Sequence, residues 1–120
     1  MFQIEGSENS PWVLIDGNTG IINIIGSSTF QKPFFFYKGI ARWIHAFNKQ
    51  GNKTRVVNIK IIDMDEASVK CMILIFRQLE DLNEDNVIVN WYYKQQDIQL
   101  HSIGKKYSSS LKLNFNLIAA

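Results

Sequence analysis

The residues best placed to do chemistry are four consecutive ones, Asp63-Met64-Asp65-Glu66. Before them, Val57, Ile59 and Ile61 alternate with Asn58 and Lys60, as on a half-buried strand. After them, Val69, Met72, Ile73, Phe76 and Leu79 recur at spacings of three and four, one face of a helix. The carboxylates therefore fall on a strand-to-helix turn. A helix start leaves backbone N–H groups unpaired and its dipole favours negative charge. Such a turn can hold an anion, a phosphate or an acidic side chain. Asp63, Asp65 and Glu66 could also supply an acid and a base, or bind a divalent cation. Nothing else in the chain offers an oxyanion site or further ligands.

Other chemistry finds little support. His45 and His101 are the only histidines and Cys71 the only cysteine, so no zinc-type spacing exists. A lone cysteine excludes an internal disulfide, and its apolar neighbours make Cys71 a small buried hydrophobe. No serine lies in a nucleophile elbow. Gly17-Asn18-Thr19-Gly20 joins two strands and resembles neither a phosphate loop nor a dinucleotide fingerprint. Glu80/Asp81 and Glu84/Asp85 decorate a helix end. The net charge of +2 is too small to predict nucleic-acid or anionic-membrane binding. Lys49, Lys53 and Arg55, like Lys105 and Lys106, read as solvated surface. No cofactor or metal is expected. With no leader and no apolar run of the ~20 residues that span a bilayer, the cytoplasm is the expected compartment.

The remaining elements follow from periodicity. Residues 1–10 are a polar, loosely held lead-in. Trp12–Ile15 and Ile21–Ile25, joined by Asp16-Gly17-Asn18-Thr19-Gly20, read as a β-hairpin. Pro33 opens a helix carrying Phe36, Ile40, Trp43, Ile44 and Phe47. Phe34, Phe35 and Tyr37 thicken that aromatic stripe, which reads as core. Gly51 is its left-handed cap. After the turn Asn83-Glu84-Asp85-Asn86, residues Val87, Val89, Trp91 and Tyr93 mark another strand. Gln95 to Ser110 suggests a short, irregular helix interrupted by Gly104. Leu111, Leu113, Phe115 and Leu117 alternate as a last strand. One α/β domain over 1–120 follows: a single mixed sheet of about five strands, opened by a hairpin, with two main helices.

Set in order, Gly26-x-Ser28, Phe36-Tyr37, Trp43, Asp63-x-Asp65-Glu66-Ala67-Ser68-x-Lys70 and Asn90-Trp91-Tyr92-Tyr93 resemble the SiaC-type regulatory phosphoprotein family. Family members carry Tyr-Phe-Asn-Thr-Ser-Ser-Ser-Lys at the turn and Trp-Tyr-Tyr before an acidic segment. The similarity runs from about Ser10 to the end. It implies a fold similar to the STAS domain of anti-sigma-factor antagonists, and a role as a partner-switching adaptor in bacterial signalling. It further implies phosphorylation of the turn threonine by a dedicated kinase and dephosphorylation by a PP2C-type phosphatase. The unphosphorylated form would dock on a diguanylate cyclase and favour biofilm.

The decisive turn departs from that pattern. Asp65 stands where the family has Asn, Glu66 where it has the phosphoacceptor Thr, and Ala67 where it has Ser; Ser68 and Lys70 match. A Ser/Thr kinase cannot modify a carboxylate. Either Glu66 imitates the phosphorylated state with about half a phosphate's charge, or Asp65 caps the helix and Glu66 complements its dipole. Gln31 stands where the family has Glu, Lys32 where it has Asn, and the Lys94–Leu100 stretch replaces an acidic one; the charge shift points to an altered partner set. The expectation is a non-catalytic adaptor whose partner-binding turn comprises Asp63, Asp65, Glu66, Ser68 and Lys70. Ser68, the one hydroxyl left there, is the candidate substitute phosphosite, though one turn into the helix it reads better as a tolerated polar residue. Two alternatives stand beside this. A small enzyme using the acidic turn requires a concave pocket beside it. A homo-oligomeric structural protein requires an apolar patch, for example from Trp12, Trp91 or Tyr92.

Overall fold

Each helix returns the chain to the next strand over, so the sheet is laid down in sequence order. The computed structural model describes residues 2–51, 53–82 and 87–120. Its strands β1 (Phe2–Ile4), β2 (Trp12–Asp16), β3 (Ile21–Ser28), β4 (Val56–Met64), β5 (Ile88–Tyr93) and β6 (Asn114–Ala119) form one sheet in the order β1-β2-β3-β4-β5-β6. β1, β2 and β3 pair antiparallel; β3 to β6 are parallel neighbours. Helices α1 (Pro33–Lys49), α2 (Glu66–Asp81) and α3 (Ile98–Ser110) make the crossovers. Right-handed crossovers that always step the same way place all three on one face. Every helix N-terminus therefore lies at the carboxyl end of the parallel strands.

Between sheet and helices lies the core. Val13, Ile15, Ile22, Ile24, Val57, Ile59, Val89 and Trp91 meet Tyr37, Ile44, Met72, Ile75, Phe76 and Leu79, all fully buried. Burying one such side chain contributes roughly 2 kcal/mol. The opposite face is open and carries an asparagine row. Asn58 donates to Asn23 at 3.0 Å, Asn90 to Asn58 at 3.0 Å and Asn116 to Asn90 at 3.1 Å.

Several expectations are corrected. The lead-in contains β1, whose Phe2 stacks on Trp43 of α1 at 5.4 Å, so the strands number six. Gly104 does not interrupt α3, which runs unbroken and packs this glycine against Trp91. Leu111 ends α3, and the last strand begins at Asn114. In α2, Ile75 is fully buried while Val69 and Ile73 are half-buried, as is Cys71. In α1 the buried line runs through Tyr37, Ile40 and Ile44, leaving Phe35 72% exposed and Phe34 43% exposed. The Asn83–Asn86 turn and Glu84/Asp85 lie outside the described residues.

The end of α2 is fastened through Glu80. Its Oε2 accepts the Lys112 backbone N–H at 2.6 Å and its Oε1 accepts Arg77 Nη1 at 2.8 Å. Those bonds, the backbone one first, hold the Glu80 carboxyl below the usual carboxylate range. A depressed folded-state value means stability that is present above the unfolded value and lost as pH falls through the folded one. Glu80→Gln is therefore expected to lose about 1 kcal/mol at neutral pH in urea denaturation. The gap between the variant and the native chain should close below the carboxylate range.

Candidate functional site

Strand β4 ends in a bulge that sets the site. Its pairing with β3 passes from Gly26↔Ile61 to Ser27↔Asp63, so β4 carries one extra residue, Ile62. Ile62 is 66% exposed, and the shift in alternation turns Met64, in place of Asp63, into the core. Asp63 stays exposed at the rim.

Asp65 is the N-cap of α2. Its Oδ1 accepts the Ser68 backbone N–H at 2.8 Å, and its own N–H donates to the Ser28 carbonyl at 3.1 Å. Glu66 is the first helical residue. Its side chain is 85% exposed and reaches Lys70 Nζ at 3.4 Å. A surface pair at this spacing contributes roughly 0.3 kcal/mol, so Glu66 is placed at the helix end without being needed to hold it. Capping and surface charge thus fall to different residues.

Ser68 takes a different position from the rest of the turn: it is fully buried. Ser28 Oγ donates to Ser68 Oγ at 2.8 Å, and Tyr37 Oη lies 2.6 Å from Ser28 Oγ. With the Ser28 proton committed to Ser68, the Tyr37 phenol is the donor to Ser28. Burial pushes that phenol well above the ordinary tyrosine range, which keeps its proton in place. From the other side, Tyr107 Oη of α3 donates to the Val69 carbonyl. β3, α1 and α3 therefore all grip the first turn of α2. These bonds enclose the Ser68 hydroxyl on every side that the neighbouring elements reach.

Of the turn residues expected to act together, Asp63, Glu66 and Lys70 face solvent, Asp65 is half-buried as the cap, and Ser68 is enclosed. Sequence reasoning missed the Tyr37–Ser28–Ser68 chain, although all three of its members belong to the frame that carries the family resemblance. It also missed Phe34 and Phe35. They open α1, at the same end of the sheet as Glu66, and protrude.

A cavity of about 500 Å³ opens elsewhere, between β4, β5 and α3, and neither Asp65 nor Glu66 lines it. The enzyme alternative asked for concavity at the turn, which this cavity does not supply. Trp91 is 1% exposed, its indole N–H donating to the Leu100 carbonyl at 3.0 Å, and so contributes nothing to an outer patch. Among the described residues no group of three or more His, Cys, Asp or Glu could hold a metal, and no helix is long and apolar enough to cross a membrane.

Fold and site together define a small α/β domain that offers an acidic helix N-terminus to solvent. The chain belongs to the SiaC family of regulatory phosphoproteins, whose family pattern it matches over residues 4–120. An uncharacterised protein of Pseudomonas aeruginosa is 18% identical over 118 residues, which is 97% of this chain and 94% of that one. Apo-SiaC from Pseudomonas aeruginosa superposes with a TM-score of 0.86 at 18% identity, covering 98% of both chains. A second solved structure is that of the diguanylate cyclase SiaD in complex with its activator SiaC, from the same organism. The matching chain there has a TM-score of 0.87 at 18% identity, with both chains covered completely. The architecture is thus that of SiaC.

Proposed function

We propose that the protein is a non-catalytic signalling adaptor that docks on a protein partner through the start of α2 and the neighbouring aromatic rim. The observation that carries this is Glu66: a carboxylate exposed at a helix N-terminus, not required as the cap, in a chain of a regulatory phosphoprotein family. In the relative whose complex is solved, the partner is a diguanylate cyclase, and a cyclase of that class is the partner we propose here. Glu66 occupies the place of the family's phosphoacceptor and supplies permanent negative charge, so the chain stays in one binding state and a kinase and PP2C-type phosphatase no longer switch it. Ser68, enclosed under Asp65, does not replace the lost threonine. Phe34 and Phe35 supply the apolar anchor that a helix end alone lacks, aromatic side chains being the usual hot spots of interfaces.

The test is a pull-down from host extract with the native chain and the Glu66→Thr variant. The variant is expected to become phosphorylated and to change its affinity for the main partner about tenfold, a coupling of ~1.4 kcal/mol. Identical partners at identical affinities, with no phosphorylation, would remove the phosphomimetic reading.

A further inference from the structure

The sheet splits at one place. The β4–β5 ladder runs from Val56↔Ile88 to Ile59↔Trp91 and stops, although β4 continues to Met64 and β5 to Tyr93. Each strand keeps its outer partner well past that point, β4 through Ser28↔Met64 and β5 through Tyr93↔Ala119. The bulge at Ile62 follows just beyond the end of the β4–β5 ladder, and the cavity of about 500 Å³ lies beside it. Lys60, Ile62, Tyr92, Lys94, Asp97 and Leu100 are among its walls. Its size falls within the ~300–1,000 Å³ usual for small-molecule sites, and it lies at the carboxyl ends of parallel strands, where open α/β sheets place their ligands.

The walls state what would fit. Ile62, Leu100 and the Tyr92 ring are apolar. Tyr93 is held as a firm side by stacking on His101, with centroids 4.6 Å apart and planes within 14°. Ile88 N–H donates to the Arg55 carbonyl at 2.9 Å, so strand alternation turns the backbone groups of Ile61 toward β5. The ladder has ended there, and Ile61, itself 2% exposed, lines the cavity. The Lys60 ammonium lies 4.9 Å from the Tyr92 ring centroid. The ion pairs among the described residues are Lys70–Glu66 and Arg77–Glu80, so Lys60 and Lys94 have no carboxylate partner there. Asp97 is committed as the cap of α3, its Oδ1 accepting the Leu100 N–H at 2.9 Å. Lys60 and Lys94 are the cationic side chains of the lining and Asp97 its acidic one.

We propose that this cleft binds a small planar aromatic monoanion, a carboxylate or sulfonate carried on a fused-ring body. The flat part lies against Tyr92, Ile62 and Leu100, and the acidic group meets Lys60 and Lys94. A bare inorganic anion would leave the apolar walls uncovered. An extended peptide would find too short a strand edge to pair with. This site is separate from the docking turn, and its existence does not depend on how Glu66 acts.

Anilinonaphthalene sulfonate is the probe, titrated by fluorescence into the full chain, with amide chemical-shift mapping on the native protein. Saturable one-to-one binding is expected, with shifts concentrated at Lys60, Ile62, Tyr92, Lys94 and Leu100. The uncharged analogue phenylnaphthylamine should bind at least tenfold more weakly. Lys60→Glu combined with Lys94→Glu, both at exposed positions, should weaken the sulfonate at least tenfold while the melting temperature holds. Shifts centred on Phe34 and Phe35, or spread over the open sheet face, would overturn the assignment. So would equal binding of the neutral analogue, indifference to charge reversal, or no binding at all. The mapping on the native chain decides the location even if the double variant folds poorly.

Discussion

Ser68→Asp is expected to abolish cooperative folding at neutral pH, while Ser68→Ala loses only about 1 kcal/mol. The two differ because of where the side chain sits. In Ser68→Ala the Tyr37 phenol still donates to Ser28, and Ser28 loses one acceptor. In Ser68→Asp a carboxylate replaces a fully buried hydroxyl whose own N–H already bonds Asp65. Two carboxylates then crowd one helix turn, one of them cut off from water. An uncompensated buried charge of that kind costs several kcal/mol, against a total stability of ~5–15 kcal/mol for a domain of this class. The introduced carboxyl escapes by staying protonated in the fold, so its folded-state value is raised above its unfolded value. Its penalty is accordingly absent below the unfolded value and grows as pH rises through the interval up to the folded one. Urea denaturation followed by circular dichroism should show Ser68→Asp closest to the native chain below pH ~4, where the carboxyl is protonated in the unfolded chain as well. A phosphoserine there would carry still more charge. If Ser68→Asp melts at neutral pH within a few degrees of the native chain, the enclosure of Ser68 is not what keeps modification away.

The same turn shows what a sequence discloses and what it withholds. Alternation in Val56–Ile61 and three-to-four spacing in Val69–Leu79 located β4 and α2, because both patterns are local. Asp65 as cap was equally visible, since capping involves a residue and an N–H three positions on. The bulge at Ile62 was not, because it is a mismatch between two strands and leaves no mark on either alone. The Tyr37–Ser28–Ser68 chain joins residues 9 and 40 positions apart, and an isolated serine looks the same whether exposed or enclosed. Phe34 and Phe35 misled for a related reason. Aromatic residues beside a buried stripe read as core, yet the helix turns only one side inward, and Tyr37, Ile40 and Ile44 take it. β1 escaped because three residues are too few to establish alternation; Phe2 earns its place by stacking on Trp43.

Two helical glycines are expected to answer substitution with opposite signs, and the second of them tests how tightly α3 is fitted to the sheet. Gly39 lies in α1 with nothing within 4 Å of where a Cβ would stand. Gly39→Ala should stabilise the domain by roughly 0.5–1 kcal/mol, because alanine spends less backbone entropy in a helix. Gly104 looks no different in sequence. A Cβ there would lie 2.5 Å from Trp91 Cδ1, 2.7 Å from its Nε1 and 2.8 Å from Leu117 Cδ2. Trp91 has little room to yield, being 1% exposed, bonded to the Leu100 carbonyl and packed edge-on against Tyr107. Gly104→Val must therefore push α3 off the sheet or force the indole from its bond, an overpacking cost of about 3 kcal/mol. Moving α3 also moves Leu100 and Asp97, which wall the cleft, and Tyr107, which grips the first turn of α2. Thermal and urea melts of the two variants should separate by several kcal/mol. A stable Gly104→Val chain would mean that α3 rides loosely on β5, and that neither the cleft nor the acidic turn has the rigid support argued for it.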